Sequence, residues 1–190
     1  MQRTFIAFDP GDQVKTKLSR FIDEGKKAYP VIKNWIGNDN IHFTYRFIGD
    51  TDEAHIPLII SKLSEMGKVL RPFALNKVKL SWYPFNNSPL ICLMYQYHNP
   101  FMVKQYYLLG EYLEQLGYQL DKRHLNFHIT LARLKDLIIQ NPINWNESLI
   151  QSVEEIQIKK MIYYKSTLYR TGAVYEVLKE INLEGGIDVS

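Results

Sequence analysis

Two short phrases of this chain alternate with a period of two, and each sets a histidine and a threonine on one side of that alternation. The first is Asn40-Ile41-His42-Phe43-Thr44-Tyr45; the second is His128-Ile129-Thr130-Leu131, inside the stretch 121–136. Alternation of apolar with polar residues predicts a strand with one buried face. On a strand, residues i and i+2 project from the same face, so His42 pairs with Thr44 and His128 with Thr130. A helix would set each His and Thr about 200° apart around its axis. The phrases lie nearly half the chain apart. Two related lobes facing each other across a cleft would bring them together.

The residue types point to acid–base chemistry. An imidazole takes or gives a proton near neutral pH, and a threonine hydroxyl beside it can hydrogen-bond a phosphoryl oxygen. Two imidazoles on opposite sides of a phosphate supply a base for the attacking oxygen and an acid for the leaving one, without a metal. His42, Thr44, His128 and Thr130 are therefore the candidate catalytic residues. Either phrase alone would read as a half-buried histidine beside a hydroxyl; the shared apolar framing of the two favours a site. Arg46 follows at i+4 from His42. On a straight strand it faces the same way, and it reads either as a phosphate contact or as a solvated strand-end arginine.

Bulk properties narrow the setting. A chain of 190 residues holds one sizeable core or two small lobes. A net charge of +3 permits a phosphate or nucleic-acid ligand without demanding one. Thirteen tyrosines can pack, or can line a wet groove that binds bases. The single cysteine, Cys92, sits in an apolar run and reads as a core residue. No signal peptide opens the chain and no apolar run reaches membrane-spanning length, so the expectation is a cytoplasmic protein with no membrane association.

In chain order the pattern predicts a strand over Thr4–Phe8, stopped by Asp9-Pro10-Gly11-Asp12, then a helix ending near Pro30. A short apolar run, 31–36, precedes the first His phrase. A helix over 53–70 follows, then strands over 73–83 and 90–97 flanking a turn cluster at Pro84–Pro89. A helix over 100–116, ended by Gly117, leads to the second phrase, which ends at Lys135-Asp136. Residues 137–152 read as mostly loop, 153–164 as a strand, 166–172 as a loop, and 173–181 as a last strand before a tail. Hairpin-like strand pairs alternating with helices predict an α+β protein built on antiparallel sheet.

These residues resemble the 2H phosphoesterase superfamily, named for two His-x-Thr-x motifs, and within it the LigT-like RNA 2′,3′-cyclic phosphodiesterases, also called 2′-5′ RNA ligases. The resemblance runs from Arg3 to about Leu178, through Arg-Thr-Phe-Ile-Ala-Phe-Asp at 3–9, the stretch 39–50, Tyr83-Pro84, 128–135 and 172–178. It implies a bilobal fold with a pseudo-twofold and a central cleft, helices outside, as one domain over 1–183 with a tail at 184–190. It implies a hydrolase that opens a 2′,3′-cyclic phosphate to a 2′-phosphate, with reversible 2′-5′ ligation, no cofactor, no metal and no obligate protein partner. RNA ends or nucleotides bearing the cyclic phosphate are the expected partners. By the same resemblance His42 would be the proton donor, His128 the acceptor, and Thr44 and Thr130 the holders of the non-bridging oxygens. Arg46 and Arg133 fall where relatives carry substrate-binding basic residues. Arg133 is at i+5 from His128, the wrong parity for that face unless a bulge intervenes. Phe43, Tyr45 and Trp82-Tyr83 depart from the smaller residues usual there. Two readings compete: an RNA-binding module without turnover, and a phosphodiesterase for another cyclic phosphate such as a cyclic ADP-ribose phosphate. His124 and His128 stand four apart, a zinc-binding spacing on a helix, but the local period of two and the missing glutamate argue against a metal site.

Overall fold

The computed structural model describes residues 1–83, 89–97, 99–121, 124–134, 150–170 and 172–185. The chain runs β1 (Gln2–Asp9), α1 (Asp12–Ala28), β2 (Asn34–Trp35), β3 (Phe43–Thr51), α2 (Ile56–Val69), β4 (Phe73–Tyr83), β5 (Leu90–Gln96), α3 (Pro100–Gln115), β6 (Phe127–Arg133), β7 (Ile156–Ile158), β8 (Lys160–Tyr169) and β9 (Gly172–Asn182). The strands form two antiparallel sheets, one ordered β3-β1-β8-β9 and the other β2-β6-β5-β4-β7. This is the α+β, antiparallel class expected from the pattern.

Local chemistry sets the joints. Gly11 adopts φ 86° and ψ 156°, a conformation open almost only to glycine, and turns β1 directly into α1. Asn99 caps α3 by accepting from the Phe101 and Met102 amides, with Pro100 in the first turn. Gly117, at φ 93°, closes α3 after Leu116, as the sequence predicts.

One continuous core joins the sheets and helices. Phe8 and Phe43 from the first sheet, Tyr95 and Phe127 from the second, Phe21 from α1, Leu63 from α2 and Leu109 from α3 all belong to it. Phe43 lies 5.3 Å from Tyr95 and 6.2 Å from Phe127, ring centre to ring centre, so β3 and β6 meet through their apolar residues. Burying such rings drives the fold; truncating one costs about 3–5 kcal/mol. The period of two then leaves His42, Thr44, His128 and Thr130 on the opposite faces of the same strands, half-buried.

Two expected elements differ. The predicted strand over 153–164 is two strands, β7 and β8, which belong to different sheets. The predicted loop at 166–172 is largely strand, because β8 and β9 pair continuously from Lys160↔Asn182 to Tyr169↔Gly172. The tail docks through the Glu184 and Gly185 amides, which donate to Gly67 and Leu70 carbonyls at 2.8 and 2.9 Å. The turn at 84–88, His98, the segment 135–149 and the residues from 186 on lie outside the described residues.

Candidate active site

His42 ends the approach to β3, just after a 3₁₀ turn at Asn38–Asn40. Its Nδ1 lies 2.8 Å from the Asn40 carbonyl, and its Nε2 lies 3.1 Å from the Thr44 hydroxyl. The carbonyl can only accept, so Nδ1 carries the proton in the neutral ring and Nε2 presents its lone pair toward Thr44 and the cleft. The second phrase repeats this arrangement: His128 Nδ1 lies 3.3 Å from the Asn126 carbonyl. Both rings are thus oriented by the carbonyl two residues upstream.

The surroundings of His42 are aromatic. Phe5 is 5.1 Å away, Tyr175 stands edge-on at 5.4 Å, and Tyr164 is at 6.3 Å, centre to centre. Burial among these rings lowers the His42 pKa to about 4, against the pull of the Asn40 carbonyl. His128, Arg133 and Lys15 lie near enough for their positive charges to lower it further. His128 and Arg133 lie on β6, which meets β3 through Phe127 and Phe43, so the second histidine strand runs beside the first.

Lys15 reaches the cleft from the first turns of α1, where it pairs with Asp9 at 2.8 Å. Asp9 also accepts the Gly11 amide at 3.1 Å, so the β1–α1 turn holds this ion pair in place. Lys15, Phe5, Tyr164 and Tyr175 are site residues that the sequence reading did not single out. A polar position on an amphipathic helix reads as solvated, and one tyrosine among thirteen carries no signal of its own.

The two arginines are sorted by a pair of β-bulges. Against β1, Thr44 pairs with Ala7 and Arg46 with Ile6, so Tyr45 is an extra residue on β3. Against β5, Thr130 pairs with Cys92 and Ala132 with Ile91, so Leu131 is an extra residue on β6. Each bulge falls directly after the threonine and reverses the alternation beyond it. The expectation that Arg46 shares the face of His42 and Thr44 is therefore not met. Arg46 turns into the core, only 6% exposed, and Phe47 takes the cleft side, 42% exposed and opposite Phe5. The same reversal brings Arg133 onto the face of His128 and Thr130, where its charge reaches both His42 and Tyr175. Arg3 lies over the Phe47 ring at 4.8 Å.

His124 Nδ1 lies 3.2 Å from the Tyr107 hydroxyl, on α3. Among the described residues, no group of three or more His, Cys, Asp or Glu side chains is placed to hold a metal ion. Nor is any helix among them long and apolar enough to cross a membrane.

No protein-family model matches the chain. Individual relatives do, over nearly its full length. An RNA 2′,3′-cyclic phosphodiesterase of Thermotoga maritima is 28% identical over 190 residues, covering 97% of both chains. One of Methanocaldococcus jannaschii is 24% identical over 181 residues, covering 94% of this chain and 99% of its own. E. coli LigT, in a crystal structure complexed with 3′-AMP, superposes with a TM-score of 0.72 at 18% identity, over 96% of this chain and 98% of that one. This chain has the LigT fold. A Thermus thermophilus protein superposes equally well, with a TM-score of 0.72 at 20% identity over 96% of this chain and 98% of its own.

Proposed function

We propose that the protein is a hydrolase that opens 2′,3′-cyclic phosphates at RNA ends or on nucleotides, leaving a 2′-phosphate and a free 3′-hydroxyl. The observation that carries this reading is that two His-x-Thr phrases lie on facing strands, each ring held by the carbonyl two residues upstream and His128 near enough to His42 for its charge to act on it. Relatives that match along the whole chain carry the name of that activity, which supports the same reading.

In the proposed reaction, His128 takes a proton from water, and the water oxygen attacks phosphorus opposite the 3′ oxygen. The P–O3′ bond breaks, and His42 gives its Nε2 proton to the departing oxygen. Thr44 and Thr130 hydrogen-bond the non-bridging oxygens as charge builds on them. Arg133, exposed on the cleft face, supplies positive charge to the phosphate. Which imidazole gives and which takes rests on the family resemblance, since the two motifs are alike in form. The environment adds a condition. With a pKa near 4, His42 is neutral in the free protein at pH 7. The anionic cyclic phosphate, set among His128, Arg133 and Lys15, offsets their charge and restores the proton that His42 must donate. With the 5′-hydroxyl of a second RNA end in place of water, the same displacement breaks P–O3′ and leaves a 2′-5′ phosphodiester and a free 3′-hydroxyl, which is the ligation expected from the family.

The test is hydrolysis of cytidine 2′,3′-cyclic monophosphate in EDTA, with the product isomer assigned by ³¹P NMR. Release of the 2′-phosphate is expected. Binding without turnover would instead mark an RNA-binding module. Turnover confined to a cyclic ADP-ribose phosphate would move the substrate class.

A further inference from the structure

Arg46 takes no part in the steps above, yet burying a guanidinium is costly and needs a compensating arrangement. Its Nη2 donates to the Tyr106 carbonyl at 2.8 Å and its Nη1 to the Asp121 carbonyl at 3.3 Å. Its charge centre lies 3.4 Å from the centre of the Tyr106 ring. Burial lowers its pKa, while the Tyr106, Tyr45, Glu114 and Asp121 side chains favour the charged form. A side chain on Gly110 would begin 3.2 Å from Nη2 and 3.6 Å from the guanidinium carbon. Glycine at that point of α3 is what admits the arginine.

The partners of Arg46 lie on α3 and just beyond it. Arg46 is two residues beyond Thr44 on β3. Tyr106 and Gly110 lie on α3, and Asp121 lies on the segment that leads from α3 into β6 and His128. The guanidinium therefore ties the His42–Thr44 strand to α3 and, through Asp121, to the start of the connection that leads to His128–Thr130. Only the bulge at Tyr45 makes this reach possible, because it turns Arg46 away from the cleft. We propose that Arg46 is a positioning residue, an internal brace that sets the spacing between the two His-Thr pairs and makes no contact with substrate.

This inference rests on the cyclic phosphodiesterase reading, and its test includes a readout independent of activity. The full chain is made as Arg46→Met, Arg46→Lys and Gly110→Ala. Turnover of cytidine 2′,3′-cyclic monophosphate is measured, and His42 is titrated by NMR. Arg46→Met is expected to lower kcat about 10- to 100-fold with KM little changed, the size of effect that a misplacement of about 1 Å produces. It should also raise the His42 pKa from about 4, as His128 and Arg133 of β6 draw away while Lys15 of α1, Phe5, Tyr164 and Tyr175 stay. Arg46→Lys keeps the charge and should recover part of kcat. Gly110→Ala keeps the arginine and crowds it. It should move kcat and the His42 titration in the same directions, and it decides the matter alone if Arg46→Met does not fold. Folded Arg46→Met protein with a lower Tm but unchanged kcat, KM and His42 titration would overturn the proposal. A wild-type protein that turns over no cyclic phosphate would sink the functional reading instead, and the titration would still judge the brace.

Discussion

The two His-x-Thr strands share a backbone plan and differ in what that plan presents. In both, a carbonyl two residues upstream orients the ring, and a bulge follows the threonine. Beyond the bulge, the first strand sends Arg46 inward and Phe47 into the cleft. The second sends Ala132 inward and Arg133 into the cleft. One half of the site thus offers aromatic surface, with Phe5, Tyr164 and Tyr175 around His42 and Phe47 across from Phe5. The other offers positive charge. The comparison teaches that duplicated backbone geometry fixes where the two His-Thr pairs sit, while one position after each bulge decides what else would meet the proposed substrate.

Breaking either half at its histidine should have the largest effect. His42→Ala and His128→Ala are each expected to lower kcat about 10²- to 10⁴-fold. Steady-state turnover near wild type in either variant would remove that ring from the mechanism. The donor and acceptor roles separate on a cyclic phosphate with sulfur in place of the 3′ oxygen, whose leaving group needs no protonation. There His42→Ala should recover most of its loss, and His128→Ala should recover none. The opposite pattern would exchange the two roles.

Smaller effects sharpen the contrast between halves. Thr44→Val and Thr130→Val each remove one hydrogen bond to developing charge, and each should cost about 10- to 100-fold in kcat with folding intact. Arg133→Leu should weaken substrate capture, raising KM about tenfold, whereas Phe47→Leu should leave the phosphate untouched and alter preference among the four bases. Equal base profiles in wild type and Phe47→Leu protein would take Phe47 out of the nucleoside contacts.

The smallest effect is on stability against pH. The folded pKa of His42, about 4, lies below its unfolded value of about 6.5. As pH falls through that interval the unfolded chain takes up a proton that the folded chain refuses, so stability declines on acidification and is fully present above pH 6.5. Denaturant midpoints of wild-type and His42→Gln protein, followed from pH 7.5 to 4, should converge toward the acid end. Parallel curves would place His42 in an ordinary aqueous environment.

Much of this was legible in the residues. Alternation alone located both histidine strands, their shared hydroxyl partners and the antiparallel class. The bulges were harder. Leu131-Ala132 is a pair of consecutive apolar residues, which a straight half-buried strand does not carry, and it is the readable trace of the second bulge. At Tyr45-Arg46 the same break is hidden, because the inward residue is an arginine and keeps the polar–apolar rhythm. The strand over 153–164 reads as one because Ile156, Ile158 and Ile162 keep the even spacing of one strand face, although the chain passes there from one sheet to the other. Lys15 and the aromatic ring around His42 become site residues only through tertiary packing, which no local pattern encodes.

The most direct test of the account is a kinetic cycle with His42→Ala, His128→Ala and the double variant on cytidine 2′,3′-cyclic monophosphate. Two imidazoles that serve one displacement at one phosphorus act as a unit, so the double variant should be about as slow as the slower single variant. Losses that multiply through the cycle would mean that the two rings act independently, and would contradict the shared site.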